Sequence, residues 1–186
     1  MNREAMLRAA LVAGGERLYR AGLVRAAEGN LSARLDEASF LVTPRGSRKG
    51  FLQAWELIRA PLTGDLPQEV SSEGFMHQLV LRHHLRVGAV VHAHPPAVLS
   101  TLASGRSLDP SRLAETANLR LATLPPLPPG SRALAEAVAA AFVAAEVVLL
   151  SGHGAVAVGA SVAEALFRLE TTELLAAVCG AVPVHA

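Results

Sequence analysis

The chain has 186 residues, 51% of them hydrophobic and 18% charged, enough to bury a sizeable core and expected to form one domain over residues 1–186. Its 17 basic and 16 acidic residues leave a formal charge of +1 with no long run of either sign, which argues against nucleic-acid or anionic-membrane binding and for a small-molecule partner. A single cysteine, Cys179, excludes a disulfide framework, Arg3, Glu4 and Arg8 break any leader-like apolar core, and no apolar run reaches the ~20 residues of a membrane helix, so a cytoplasmic protein is expected.

Leu7, Ala10, Leu11, Gly14 and Leu18 recur at helical spacing and predict a helix over 3–20, closed by Ala21 and Gly22. Two short alternating runs, LSARL and SFLVT, read as a hairpin, followed by the loop TPRGSRKG and a strand in ELIRAPL that ends at the turn TGD. SSEGFMHQLVLRHHL opens with two serines as the cap of an amphipathic helix, whose His77, His83 and His84 are assigned to a solvated face. VGAVVHAH is a buried strand, and PPAVLSTLA a helix begun by proline. The stretch 104–130, with five prolines, is the least readable and reads mostly as loop. SRALAEAVAAAF predicts a helix, AEVVLLSGHGAVAVG two strands joined by a glycine-rich turn, and SVAEALFRLETTELLAAVC a long helix begun by a serine cap, with Cys179 as an inert thiol and His185 beyond it. Four or five helices and seven or eight strands with hairpin links predict a mixed, largely antiparallel sheet covered on both faces by helices.

His92 and His94 are two apart on the predicted strand, so their side chains leave the same face, while Ala93 points the other way. Two adjacent imidazoles suit a divalent metal, yet they fit a pair of hydrogen-bonded surface residues equally well. His153, between Gly152 and Gly154, is the candidate third ligand, because a turn needs the glycines but not the histidine. Three histidines form the pattern of an open catalytic metal site. Ser71 and Ser72 open a helix, whose N-terminus is a ready phosphate site, and Glu73 stands in its first turn, where an acid also complements the helix dipole. EGNLS and TPRG add Gly29, Asn30, Arg45 and Gly46, which can wrap and grip an oxyanion, although ordinary turn chemistry accounts for the glycines as well.

In this order and at these separations, GNLS, TPRG, SSEG, VVHAHPP and SGHG resemble the class II aldolase/adducin family, most closely the bacterial L-fuculose-1-phosphate aldolases, over about the whole chain. The resemblance implies a three-layer α/β/α sandwich with a mixed, largely antiparallel central sheet, and a homotetramer with active sites at subunit interfaces. It also implies one zinc ion (Zn2+) per subunit on His92, His94 and His153, with Mn2+ or Co2+ as substitutes. Carried over residue by residue, the proton-shuttling acid falls on Glu73. The phosphate cradle falls on Gly29, Asn30, Gly46, Ser71 and Ser72, with Arg45 where the aldolases often have a small hydroxyl residue.

The implied reaction cleaves a ketose 1-phosphate to dihydroxyacetone phosphate and an aldehyde through an enediolate, whose charge needs a lysine Schiff base or a Lewis acid. Lys49, the only lysine, lies in an arginine-rich loop expected to be unsuited to desolvation, which leaves the metal route. Two departures stand against a fuculose-type substrate: a family tyrosine that would fall near Leu113 and another on a longer C-terminal tail are both missing, Tyr19 being the only tyrosine of a chain ending at Ala186. Alternatives in the same superfamily are a methylthioribulose-1-phosphate dehydratase, with its glutamate near Glu115, and a pentulose-phosphate epimerase. An adducin-like interaction protein without catalysis is a more remote one.

Overall fold

The strands of this chain are short and apolar on both faces, and the architecture follows from covering both. The computed structural model describes residues 2–181. Its strands are β1 (Asn30–Arg34), β2 (Ser39–Val42), β3 (Ile58–Pro61), β4 (Ala89–Ala93), β5 (Leu121–Leu124), β6 (Val147–Leu150) and β7 (Gly154–Gly159). They form one sheet in the order β3-β2-β1-β4-β7-β6-β5, antiparallel throughout except for the β5–β6 pair.

Alternate side chains feed two cores. Leu31, Val91, Leu149 and Ala157 face a layer made by α1 (Arg3–Arg20), α3 (Pro96–Ala103) and α5 (Val162–Ala181). Phe40, Val90, Leu150 and Val156 face α2 (Gly74–His83) and α4 (Arg132–Ala141). The result is the three-layer α/β/α arrangement with a mixed, mostly antiparallel sheet that the hairpin pattern predicts. Among the described residues no helix is long and apolar enough to cross a membrane.

The helix starts follow their local chemistry. Asn2 caps α1 through its side chain, at 2.9 Å from Ala5 N, and the Ser131 hydroxyl caps α4 at 3.1 Å from Leu134 N. At the start of α5, Ser161 Oγ accepts from Glu164 N while Glu164 Oε2 accepts from Ala160 N, a reciprocal pair at the expected serine. The expected serine cap of α2 is corrected: Glu73 occupies the cap position without using its side chain there, and Ser71 supports the turn mainly through its carbonyl, 2.7 Å from Gly74 N. The stretch 104–130 is not all loop. It contains the edge strand β5 and two 3-10 turns, Pro110–Arg112 and Ala114–Thr116, and LATL is short enough for the prolines after it to mask the strand. Cys179 is half-buried against the α5 core, and His185 lies outside the described residues.

Helix α3 begins on Pro95 and Pro96, directly after His94, and has no cap from its own sequence. Its first amides are taken by Glu173 of α5, whose two oxygens lie 2.9 Å from Ala97 N and 3.0 Å from Val98 N. A carboxylate there satisfies two orphan donors and complements the helix dipole. Glu173→Ala is therefore expected to cost about 1–2 kcal/mol, seen as a lower urea midpoint at unchanged slope; an unchanged midpoint would show that the cap carries no stability.

Candidate metal centre and anion cradle

Register places the histidines. On β4, His92 pairs with Asn30 of β1 on one side and with Val156 of β7 on the other, so its ring enters the α2 layer, and His94 follows just past the strand end. His92 is fully buried, and its Nδ1–H donates to Ala155 O at 3.0 Å, which leaves the Nε2 lone pair free. That Nε2 lies 3.2 Å from His94 Nε2. His153 sits in the β6–β7 turn with its ring centroid 4.8 Å from that of His92 and 5.2 Å from that of His94. Glycine is required at 154: its φ is +155°, and a Cβ there would run into Ala93 O and lie 3.0 Å from His94 Cδ2.

The three side chains offer nitrogens within 4.8 Å of one another. Burial pushes all three imidazoles below their ordinary pKa, outweighing the attraction of Glu73, so each is a neutral donor at pH 7. Lone pairs thus converge on one point, and His153 Nδ1 and Glu73 Oε1 are buried without hydrogen-bond partners. That set fits a divalent cation with nitrogen preference.

Glu73 is the acid of the group. Its Oε2 accepts from Asn30 Nδ2 at 2.8 Å and lies 3.2 Å from His92 Nε2, while Oε1 lies 3.4 Å from His153 Nε2. Burial would raise its pKa, but His92, the Asn30 amide and His153 more than compensate and hold the carboxyl below its usual range. Behind Asn30 stands His77, which corrects the expectation of a solvated face: its ring turns inward to Ser32 and Asn30 of β1, and every residue from Met76 to Leu81 is buried. His77 Nδ1 is 2.7 Å from Ser32 Oγ, its Nε2 meets Asn30 Oδ1, and burial lowers its pKa to about 3. Because Asn30 donates to Glu73, its Oδ1 must accept from His77 Nε2–H, and His77 Nδ1 must accept from the Ser32 hydroxyl. Nothing but its place four residues after Glu73, on the same helix face, pointed to His77 in the sequence. His83 is exposed and His84 bonds to Ala139 O; neither joins the cluster.

The loops predicted to cradle an anion converge here. Gly29, Asn30, Arg45, Gly46, Ser71, Ser72 and Glu73, with His94, His153 and Pro129, line a cavity of about 180 Å³. Gly29 has φ +69°, and a Cβ on it would lie 2.6 Å from His92 O, so the loop reaches the strand of His92 only as glycine. Lys49 also lines this cavity, against expectation. It is buried, with Nζ 3.1 Å from Ala27 O, 2.5 Å from Ser47 O and 3.3 Å from Ser47 Oγ, and burial lowers its pKa to about 8. The loop is desolvated because it packs onto α1 at Gly15, where a Cβ would lie 2.5 Å from Lys49 O. Glu115 is exposed on a 3-10 turn, and neither it nor Leu113 lines the cavity. Tyr19 packs edge-on against Phe51, outside the cavity lining. Two larger clefts, of about 500 and 540 Å³, run along Phe75 and Arg132 and along Arg86 and Arg168, away from the histidine cluster.

Comparison with known proteins agrees with this geometry. Residues 9–179 match the family described as the class II aldolase and adducin N-terminal domain. The chain is 30% identical to a 3-oxo-tetronate 4-phosphate decarboxylase of Haemophilus influenzae, over 86% of this chain and 80% of that protein. It is 35% identical to a methylthioribulose-1-phosphate dehydratase of Acidiphilium cryptum, over 89% and 85%. The crystal structure of L-fuculose-1-phosphate aldolase from Thermus thermophilus superposes with a TM-score of 0.87 at 31% identity, covering 96% of this chain and 98% of that one. Register, histidine cluster and sequence likeness lead to one conclusion: this chain belongs to the class II aldolase and adducin N-terminal domain family.

Proposed function

We propose that the chain is a zinc-dependent lyase that cleaves a carbon–carbon bond next to the carbonyl of a small phosphorylated substrate. The observation that carries this reading is the convergence of three neutral imidazoles and one buried carboxylate beside a small anion-sized cavity, whose wall includes His94, His153 and Glu73. His92, His94 and His153 would hold the ion, with Mn2+ or Co2+ as substitutes. A divalent ion there supplies a Lewis acid that stabilises the negative charge of an enediolate.

The remaining work falls to this chain's own groups. Ser71, Ser72, Asn30, Arg45 and the turns at Gly29 and Gly46 hold the phosphate and fix the distance from it to the reacting carbons. Glu73 moves a proton at Oε1, the oxygen without a hydrogen bond, while Asn30 holds Oε2 in place. In aldol cleavage of a ketose 1-phosphate, the C4 hydroxyl loses its proton, the C3–C4 bond breaks, and an aldehyde leaves. Protonation of the enediolate at C3 then gives dihydroxyacetone phosphate. The family resemblance supports a homotetramer with this site at the subunit interface.

A second form of the reaction is favoured by the cavity lining, which contains no tyrosine hydroxyl to take the C4 proton. A four-carbon 2-hydroxy-3-oxo acid 4-phosphate needs no such group. Its carboxylate leaves as carbon dioxide, the electron pair of the broken C1–C2 bond enters the same enediolate, and protonation at C2 again gives dihydroxyacetone phosphate. The decarboxylase relatives are consistent with this substrate.

Deuterium exchange from dihydroxyacetone phosphate, followed by NMR with and without chelator, tests what the two forms share. Chelator-sensitive exchange is the expected result; none from fully metal-loaded protein would rule out the enediolate reading. Release of carbon dioxide from the 3-oxo acid phosphate, against aldehyde from ketose 1-phosphates, then decides between them. His92→Ala is expected to lose metal and turnover together. Glu73→Gln should keep a full equivalent of metal while turnover falls by roughly 10²–10⁴, and unimpaired turnover would remove Glu73 from proton transfer.

A further inference from the structure

Lys49 is the one cation on the cavity wall that the reaction above does not use. It is the only lysine of the chain and is 2% exposed. Taking an ammonium out of water is unfavourable unless an anion compensates it. Here the acceptors around Nζ are two backbone carbonyls and a hydroxyl, all neutral, and among the described residues Lys49 enters no ion pair. Three acceptors call for three N–H donors, which the ammonium has and the neutral amine lacks. Its pKa, lowered by burial to about 8, still leaves it charged at neutral pH.

The acids nearby are engaged elsewhere. Glu73 bonds to Asn30 between His92 and His153, and Glu28 accepts from Arg25 N with its other oxygen 3.9 Å from His94 Nδ1. Ala27 and Ser47, whose carbonyls hold Nζ, flank the two turns that wall the cavity, one before Gly29 and one after Gly46. A buried positive charge therefore sits between the two turns, beside a cavity that is open to an anion. Arg45 is exposed at the same wall, where water and salt screen its charge.

We propose that Lys49 is the buried counter-charge of the cradle, pairing with the phosphate of the substrate and making the site select a phosphorylated carbonyl compound over its unphosphorylated analogue. The carbonyl half of this statement rests on the lyase reading; the charge pairing rests on the cavity alone.

Because the chain has one lysine, protein labelled with 15N-lysine gives one Nζ resonance, which can be followed in metal-free protein as inorganic phosphate is added. A saturable shift is expected, and its absence overturns the proposal. In Lys49→Gln, which keeps a donor for the loop carbonyls, and Lys49→Met, which fills the volume without charge, phosphate affinity by calorimetry should fall at least tenfold. In metal-loaded protein, the ratio of deuterium exchange in dihydroxyacetone phosphate to that in dihydroxyacetone should fall by a similar factor. A lysine that only tied the two loops together would lower both exchange rates and leave the ratio alone, and an unchanged ratio or affinity overturns the pairing. Lysine-dependent phosphate binding without any exchange from the wild type would reject the lyase reading and keep Lys49 as an anion site.

Discussion

The site depends on one constraint, the position of β4 between β1 and β7. Both ladders are antiparallel, and their register sets His92 opposite Asn30 and Val156. A slip of one residue on either side would turn His92 into the α1–α3–α5 layer and bring Ala93 to the α2 layer, because side chains alternate strictly along a strand. The apolar neighbours enforce the register. Val90 fills the α2–α4 core while Ala89, Val91 and Ala93 fill the other, so any slip exchanges well-packed groups between two differently shaped interiors. The placement of His92 is thus a by-product of core packing.

The electrostatics follow from the same burial. Neutral imidazoles, an anionic Glu73 and a cationic Lys49 all lie where water is scarce, and each has a definite hydrogen-bond or ion partner except at the points aimed into the site. The chain Ser32–His77–Asn30–Glu73 fixes proton positions through a run of obligatory donors and acceptors. Low polarity strengthens each of these contacts and makes a missing partner costly, so the group keeps one arrangement.

Much of this was legible in the sequence, and the reasons differ by residue. His92 and His94 alone fitted surface residues equally well, and the set stood out only with His153, which the glycine turn leaves unexplained. Gly29, Asn30, Gly46, Ser71, Ser72 and Glu73 were readable as turns and a helix start, and the structure brings them to one cavity. His77 was misplaced because amphipathic reasoning puts a polar ring on the solvated face, and here the ring turns inward to Ser32 and Asn30. Lys49 was misjudged because charge in a polar loop reads as exposed, and only the packing of α1 at Gly15 takes it inside. β5 was missed because four residues ahead of a proline-rich run carry too short a period to register.

The bond between α5 and α3 bears on how the chain is made. As synthesis proceeds from the N-terminus, His92 and His94 leave the ribosome before His153, and Glu173, which holds the first amides of α3, emerges after all three. Until then the helix that follows His92 and His94 has no cap on its first turn. The helix start beside His92 and His94 is therefore completed only when the last layer closes, so the strand end that carries them depends on the far end of the chain.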